Sequence, residues 1–498
     1  MKVDRLQLRG SPDIHDFIGL LVFLGCILLF SYWFLHGERI QHNSGLGWDG
    51  AAYADWAQRN TIEVLRSRTI SEYYVGRILP SLVVHFLSEW LRYDISGTAN
   101  VIRAFFLLNC ALLCCGVGLM FSIARYFQWR RNISYLAVSG FLFNYAVLTN
   151  LSYNPTLTDM SGYVLGLAIV HAYLRRNMLS LWLLSFLCGF VWPTMIYGSF
   201  LLIAFGHAKL ETRPTPRHAH LLALAGGVFL LGLSAWLYFV KGLRQTPGTT
   251  EIRLAFLPLC AVLYAGYLYF AELPLIDIPA KLRALRDVNW RHMVAALILL
   301  IAVKGLSTHF SDRTPGPLTI VSYIGLLTQA SLANPLVNVV AHGMHYGPFY
   351  LLALFLWPRV VAVARAEGLG LTLFTMLFAA LSVGSESRQF LNAWPALIVL
   401  VCEALNQLDE RYRIDWWFTY SIASIGFLLS RCWISINVGT WTGDFQHFPD
   451  QMLYMYTGPW MSNQMYRVFL AVTLLCSLAI AALLRKLPIQ PSHSGAKS

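Results

Sequence analysis

Two aspartates and two arginines stand out in a chain that is otherwise mostly hydrocarbon. Asp49 lies in Gly47-Trp48-Asp49-Gly50-Ala51-Ala52-Tyr53-Ala54-Asp55-Trp56, where carboxylates, aromatics and glycines gather just after the first apolar run. A carboxylate within hydrogen-bond reach of a hydroxyl can act as a general base, and the flanking glycines let the backbone turn tightly around it. An Asp before a helix also serves as a plain N-cap, and that role stays open for Asp49. Asp55 is six residues on and nearly opposite on a helix, so only one of the two carboxylates is expected to face a site. Tyr53, one turn after Asp49, could stack on a sugar or belong to the aromatic belt of a membrane interface.

Further along, Arg77 sits in Gly76-Arg77-Ile78-Leu79-Pro80. A guanidinium at headgroup depth can grip a phosphate with two parallel bonds, or simply snorkel to bulk lipid. Asp159 closes the turn Asn150-Leu151-Ser152-Tyr153-Asn154-Pro155-Thr156-Leu157-Thr158-Asp159, where a carboxylate also suits a helix N-terminus without any chemistry. Glu386 and Arg388, in Gly384-Ser385-Glu386-Ser387-Arg388-Gln389-Phe390, are ionisable residues at a tight turn between apolar runs. Such residues need partners and are functional candidates by default; a local contact between the two is the alternative. Lys304 could neutralise a phosphate or anchor its helix. His342 and His345 are three apart and could hold a divalent metal with Asp312 or Glu386. No HExxH-like motif accompanies them, so no cofactor is expected, and His345 is placed with the substrate contacts.

The elements that must carry these residues are read from the hydropathy. Of 498 residues 57% are hydrophobic and 12% charged, and the apolar residues fall in runs of about 16 to 25 between basic or Gly/Pro-rich breaks. The pattern predicts an all-α, polytopic membrane protein of roughly 12 to 14 spans in a single integral-membrane domain, 1–498, with no internal repeat. The net charge of +12 comes from basic residues beside the apolar runs, which fits membrane orientation and gives no stripe for nucleic acid. All nine cysteines lie in or beside apolar runs without a CxxC pair, against disulfides or zinc. Lys2, Arg5 and Arg9 put the N-terminus in the cytoplasm, and the scheme returns the C-terminus there. A bacterial inner membrane is the expected location.

In this scheme the first external loop is 36–98, containing a helix along the interface within Val75 to Tyr93. A second large external region is 309–347 and a third is 435–465. The run 179–206 breaks at Trp192-Pro193-Thr194 into two short helices. Every candidate above then collects on the external face, which points to chemistry on a substrate presented at the outer leaflet.

This arrangement resembles the GT-C superfamily of integral-membrane glycosyltransferases, which use sugars carried on polyprenyl phosphate. The likeness rests on the early-loop Gly-Trp-Asp-Gly-x-x-Tyr, the second acidic residue Asp159 in the next external turn, and Ser385-Glu386-Ser387-Arg388-Gln389-Phe390 followed by Pro395. The fuller His-Lys-Glu-x-Arg-Phe form and an adjacent acidic pair are missing, which leaves the donor sugar open. What the resemblance implies is an inverting transfer from a polyprenyl-phosphate sugar to a hydroxyl of a glycan, lipid or protein acceptor. Asp49 would be the base and Asp159 a carboxylate orienting a sugar. Arg77 and Arg388 would contact phosphate, with Glu386 positioning Arg388. An O-antigen polymerase or ligase, dependent on its arginines, and a transporter or flippase of lipid-linked sugar are the alternatives.

Overall fold

A computed structural model describes residues 14–210, 217–240, 242, 257–272, 278–313, 334–382, 386–409, 412–433 and 463–488. The described residues form helices and no strands. That is how a chain in hydrocarbon satisfies its backbone, since each helical N–H and C=O is paired within its own segment.

Among the described residues four helices are long and apolar enough to cross a membrane: Phe17–His36, Thr98–Phe127, Trp290–His309 and Met465–Arg485. The pair Pro348–Phe355 and Trp357–Glu367, bent by 83°, makes a fifth if counted as one span. The expected 12 to 14 spans are therefore not all full-length helices. Several are pieces of 10–17 residues, among them Met178–Cys188, Met195–Phe205, Leu369–Leu381 and Trp394–Leu408. The breaks have local causes. Asn144 donates to the carbonyls of Gly140 (3.1 Å) and Phe141 (3.0 Å) and accepts from Val147 N–H (3.0 Å), so it closes one helix and caps the next. The break at Trp192-Pro193 stands between Cys188 and Met195, as the proline requires.

The segment after the first long helix carries a small core of its own. Tyr53, Ala54, Trp56 and Ala57 of the helix Asp49–Gln58 pack with Ile70, Val75, Ile78 and Val84, and against Val101 and Phe105 of the next long helix. Polar side chains take up the carbonyls of that helix: Ser81 Oγ donates to Tyr53 O (2.9 Å) and Thr61 Oγ1 to Trp56 O (2.8 Å). Where an interfacial helix was expected stands the helix Leu79–Leu91. It buries Pro80, Ser81, Val84, His85 and Ser88 and leaves Phe86, Leu87, Trp90 and Leu91 exposed, the two-faced pattern of a helix lying in an interface.

At the centre lies Asp159–Leu174, of which almost every residue is buried. It packs against Thr98–Phe127, Met178–Cys188 and Trp394–Leu408. Gly162 and Gly166 follow Asp159 by three and seven residues and so share its face. A Cβ at Gly162 would sit 3.4 Å from Trp192, and one at Gly166 only 1.8 Å from the carbonyl oxygen of Asn392. Bare backbone at these two places lets the Trp192 break and the turn after Arg388 close on the helix that begins with Asp159.

Candidate active site

Three segments meet where the early loop docks. Gly50 faces Thr156, whose Oγ1 would lie 2.1 Å from an added Cβ, and Gly47, at φ +71°, lies against Asn154. Thr156 Oγ1 donates towards Leu46 O (3.2 Å) and Asn154 Oδ1 (3.1 Å). The loop bearing Asp49 is thereby fastened to the turn bearing Asp159. Gly76 lies against Pro193, 3.0 Å from an added Cβ, and Leu79 N–H donates to Phe190 O (3.0 Å). That contact sets Arg77 on the Trp192 break.

Asp159 is fully buried, and both its oxygens accept from Arg388: Nε to Oδ1 and Nη2 to Oδ2, each 2.7 Å. This is the parallel two-bond geometry that only a guanidinium offers. Sequence reasoning gave Arg388 to Glu386; the carboxylate that grips it is Asp159, because Gly166 lets the Arg388 turn come down on the Asp159 helix. Glu386 instead precedes the short 3-10 turn Ser387–Phe390 and is half-buried. His342 holds the same turn, with Nδ1 3.0 Å from Ser387 Oγ and Nε2 2.7 Å from Ser382 O.

Asp49 opens its helix and faces two phenols. Tyr74 Oη donates to Oδ1 at 3.2 Å and Tyr73 Oη to Oδ2 at 3.5 Å. Both bonds are long, so the carboxylate is oriented while keeping acceptor capacity. Burial first, then the Asp49 charge, pushes the Tyr74 hydroxyl up to about 12, and burial raises Tyr73 as well. Both stay protonated donors near neutrality.

Arg77 lies 3.8 Å from the Tyr73 ring centre and 5.2 Å from that of Trp192, and Arg388 lies 5.8 Å from Trp192. One indole thus has a guanidinium at two approaches. Arg77 Nη1 is buried with no hydrogen-bond partner among the described residues. A charged donor in that state is costly unless something completes it. The Tyr73 hydroxyl feels the charges of Arg77, Asp49, Arg388 and Asp159 together. Tyr73 touches Asp49 and Arg77, and Trp192 stands between Arg77 and the Arg388–Asp159 pair, so contacts link all four expected residues.

The remaining candidates fall around it. The ring of Tyr53 is buried, edge-on to Trp56 (5.7 Å) and Tyr74 (6.2 Å). It therefore belongs to the loop core and is neither a stacking platform nor a belt residue. Its hydroxyl, raised well above its usual range by burial, still senses Arg77, Asp49 and Arg388. Lys304 stands on the rim, partly exposed, 4.0 Å from Glu72 and 5.8 Å from the Tyr197 ring centre. His345 is buried behind the Arg388 turn, edge-on to Tyr145 at 5.6 Å, and neither ring nitrogen has a hydrogen-bond partner among the described residues. Burial and the nearby Arg431, His342 and Arg388 hold its pKa well below that of a free histidine. His342 is bonded through both ring nitrogens, to Ser387 and Ser382, while His345 is not, and no group of three metal-ligating side chains occurs among the described residues.

Tyr73 and Tyr74 were missing from the sequence-derived candidates, and Trp192 was read only as part of the Trp-Pro break, with no site role. The adjacent tyrosines just before Gly76-Arg77 and the indole at the Pro193 break were the signals available. Compared with known protein families, curated proteins and solved structures, the chain matches none.

Proposed function

We propose that this protein is a multi-pass membrane glycosyltransferase of the GT-C kind. It transfers a sugar from a polyprenyl-phosphate donor to a hydroxyl of a glycan, lipid or protein acceptor on the external side of a bacterial inner membrane. The observation that carries the reading is the meeting of Asp49 with Arg77 and the Asp159–Arg388 pair around Tyr73 and Trp192.

In the reaction the acceptor oxygen attacks the anomeric carbon while Asp49 takes the hydroxyl proton. The bond from that carbon to the phosphate oxygen breaks, and the phosphate leaves with the electron pair. The anomeric configuration inverts. Charge grows on the leaving phosphate, so donors aimed there speed the step. Arg77, with a buried N–H that lacks a partner, supplies such a donor. Asp159 uses both oxygens to fix the plane of Arg388, and thereby the direction in which that guanidinium meets the sugar phosphate. Lys304 adds positive charge at the rim. Tyr73 and Tyr74 hold the Asp49 carboxylate in its plane.

A panel of radiolabelled polyprenyl-phosphate sugars offered to membranes bearing the protein tests this reading. Consumption of one donor with formation of a labelled glycoside supports it, and a panel left intact by well-expressed protein overturns it. The two guanidiniums flanking Trp192 also suit an arginine-dependent polymerase or ligase. That reading expects loss of activity on replacing Arg77 or Arg388 but none on replacing Asp49.

A further inference from the structure

Arg388 is held from two sides. Asp159 grips its guanidinium, and a separate helix, Val337–Tyr346, grips the residue before it. That helix has two buried faces. Val337, Val340, Ala341 and Met344 pack with Leu429, Met465, Tyr466 and Phe469 in an apolar cluster. His342 and Tyr346, four residues apart and so one above the other, reach instead to the 3-10 turn Ser387–Phe390. His342 Nδ1 lies 3.0 Å from Ser387 Oγ, and Tyr346 Oη donates to Ser387 O. Ser387 is thus held by its hydroxyl and by its carbonyl at once.

The orientation of the His342 ring follows from its partners. Nε2 lies 2.7 Å from Ser382 O, and a carbonyl only accepts, so Nε2 carries a proton. In the neutral ring Nδ1 is then an acceptor, and the Ser387 hydroxyl donates to it. One imidazole therefore ties Ser382, where the helix Leu369–Leu381 ends, to Ser387, where the turn bearing Arg388 begins. Tyr346 is locked by its neighbours: its ring stacks on Trp394 at 4.3 Å and stands edge-on to Phe390 at 6.0 Å. Burial first, then Tyr163 and Asp159, hold its hydroxyl well above the ordinary range, and the charge of Arg388 reaches it too. It stays a donor beside the ion pair. His342 and Tyr346 are both wholly buried, so water does not compete for these bonds.

A guanidinium meets a phosphate well only when its plane and its position are both set. Asp159 sets the plane, and Ser387 is the point from which the Arg388 backbone is set. We propose that His342 and Tyr346 are positioning residues for sugar transfer: by clamping Ser387 they fix the backbone of Arg388, so that the guanidinium held by Asp159 faces the sugar phosphate. The clamp itself stands on the hydrogen bonds, and its effect on rate rests on the glycosyl-transfer reading.

The test compares His342→Phe, His342→Gln and Tyr346→Phe in the full chain, measuring transfer from a polyprenyl-phosphate sugar and amide hydrogen exchange of residues 386–392 on the same preparations. Phenylalanine keeps a ring and loses both bonds, whereas glutamine offers an acceptor and a donor on one amide, as the neutral imidazole does. His342→Phe is expected to speed exchange in this turn by about ten-fold through easier local opening. Its kcat should fall about thirty-fold, within the scale of a displacement of about 1 Å. The donor KM should change by less than about three-fold, since the charge that Arg388 meets grows in the transition state. His342→Gln should bring exchange and kcat back to within about three-fold of wild type, and Tyr346→Phe should cost about five-fold in kcat for its one bond. Val340→Ala loosens the other face of the same helix; it should lower the unfolding midpoint and leave kcat per folded protein unchanged. A kcat loss in Val340→Ala equal to that in His342→Phe, a KM rise as large as the kcat fall, or no rescue by glutamine would overturn the positioning role. Should His342→Phe fail to fold, Tyr346→Phe is read in its place. A wild type that consumes no donor sinks the transfer reading separately; exchange then decides the clamp, and unchanged exchange in His342→Phe overturns it.

Discussion

Asp159 and Arg388 stand 229 residues apart in the chain and meet through two parallel bonds of 2.7 Å, with the carboxylate wholly out of solvent. The pair joins an early turn to a late one, so it holds the site together as well as facing it. Removing one partner strands the other charge, at a cost of about 3–5 kcal/mol when the pair is buried. Asp159→Asn is expected to lower the unfolding midpoint in detergent strongly. Arg388→Lys should recover only part of the stability lost in Arg388→Gln, since an ammonium cannot make both bonds. A double-mutant cycle with Asp159→Asn and Arg388→Gln checks this, and a coupling near zero contradicts it.

Gly166 tests the closeness of that joint. Alanine favours helix over glycine by about 1 kcal/mol, yet its Cβ would lie 1.8 Å from Asn392 O. Backbone must move, and the Arg388 turn moves with it. Gly166→Ala is expected to reduce transfer by about a hundred-fold, the scale of a displacement of about 1 Å at a reacting geometry. Gly118→Ala, where an added Cβ meets nothing within 4 Å, is the control and should leave transfer unchanged.

Tyr74 acts on Asp49 as a protonated donor. With its hydroxyl at about 12, it keeps its proton across neutral and mildly alkaline pH. The rate should therefore show no alkaline step from Tyr74 below pH about 11. Tyr74→Phe should cost about five-fold in kcat, worth roughly 1 kcal/mol for one long hydrogen bond, with the alkaline limb of the pH–rate profile unmoved. An alkaline step near pH 9 that vanishes in Tyr74→Phe contradicts the assignment.

His345 makes stability depend on pH. Burial holds its folded pKa well below the ordinary value, whereas the unfolded chain binds the proton near pH 6.5. Below that pH the unfolded state takes up more protons, so stability is full above about pH 6.5 and falls as pH drops through it. His345→Gln should flatten this dependence. Unfolding midpoints at pH 7.5 and 5.0 measure it, and an equal loss in both proteins contradicts it.

Much of this layout was legible because its signals are local. The helix break at Trp192-Pro193, the amphipathic Leu79–Leu91 and the placement of Asp49 and Asp159 at helix starts follow from proline, periodicity and capping, each read within a dozen residues. The partner of Arg388 was not legible. Glu386 is two residues away and was the natural choice, while the true partner depends on Gly166 meeting Asn392, a contact across 226 residues that no local pattern encodes. Tyr53 misled for a similar reason. Beside Asp49 it reads as a surface aromatic, but the segment between the first two long helices is long enough to build its own core and takes the ring inside. Asn144 and the prolines cut apolar runs into short helices, which hydropathy does not show, since it sees the run and not the cut.

Asp49→Asn tests the central claim most directly, with sugar transfer measured from a matched donor in membranes of equal expression. Asparagine keeps the shape and can still accept from Tyr73 and Tyr74, but it cannot take the acceptor proton. Transfer is expected to fall by about 10²–10⁴ with the unfolding midpoint nearly unchanged. Transfer at the wild-type rate would contradict the role of Asp49 and, with it, the reaction proposed for this site.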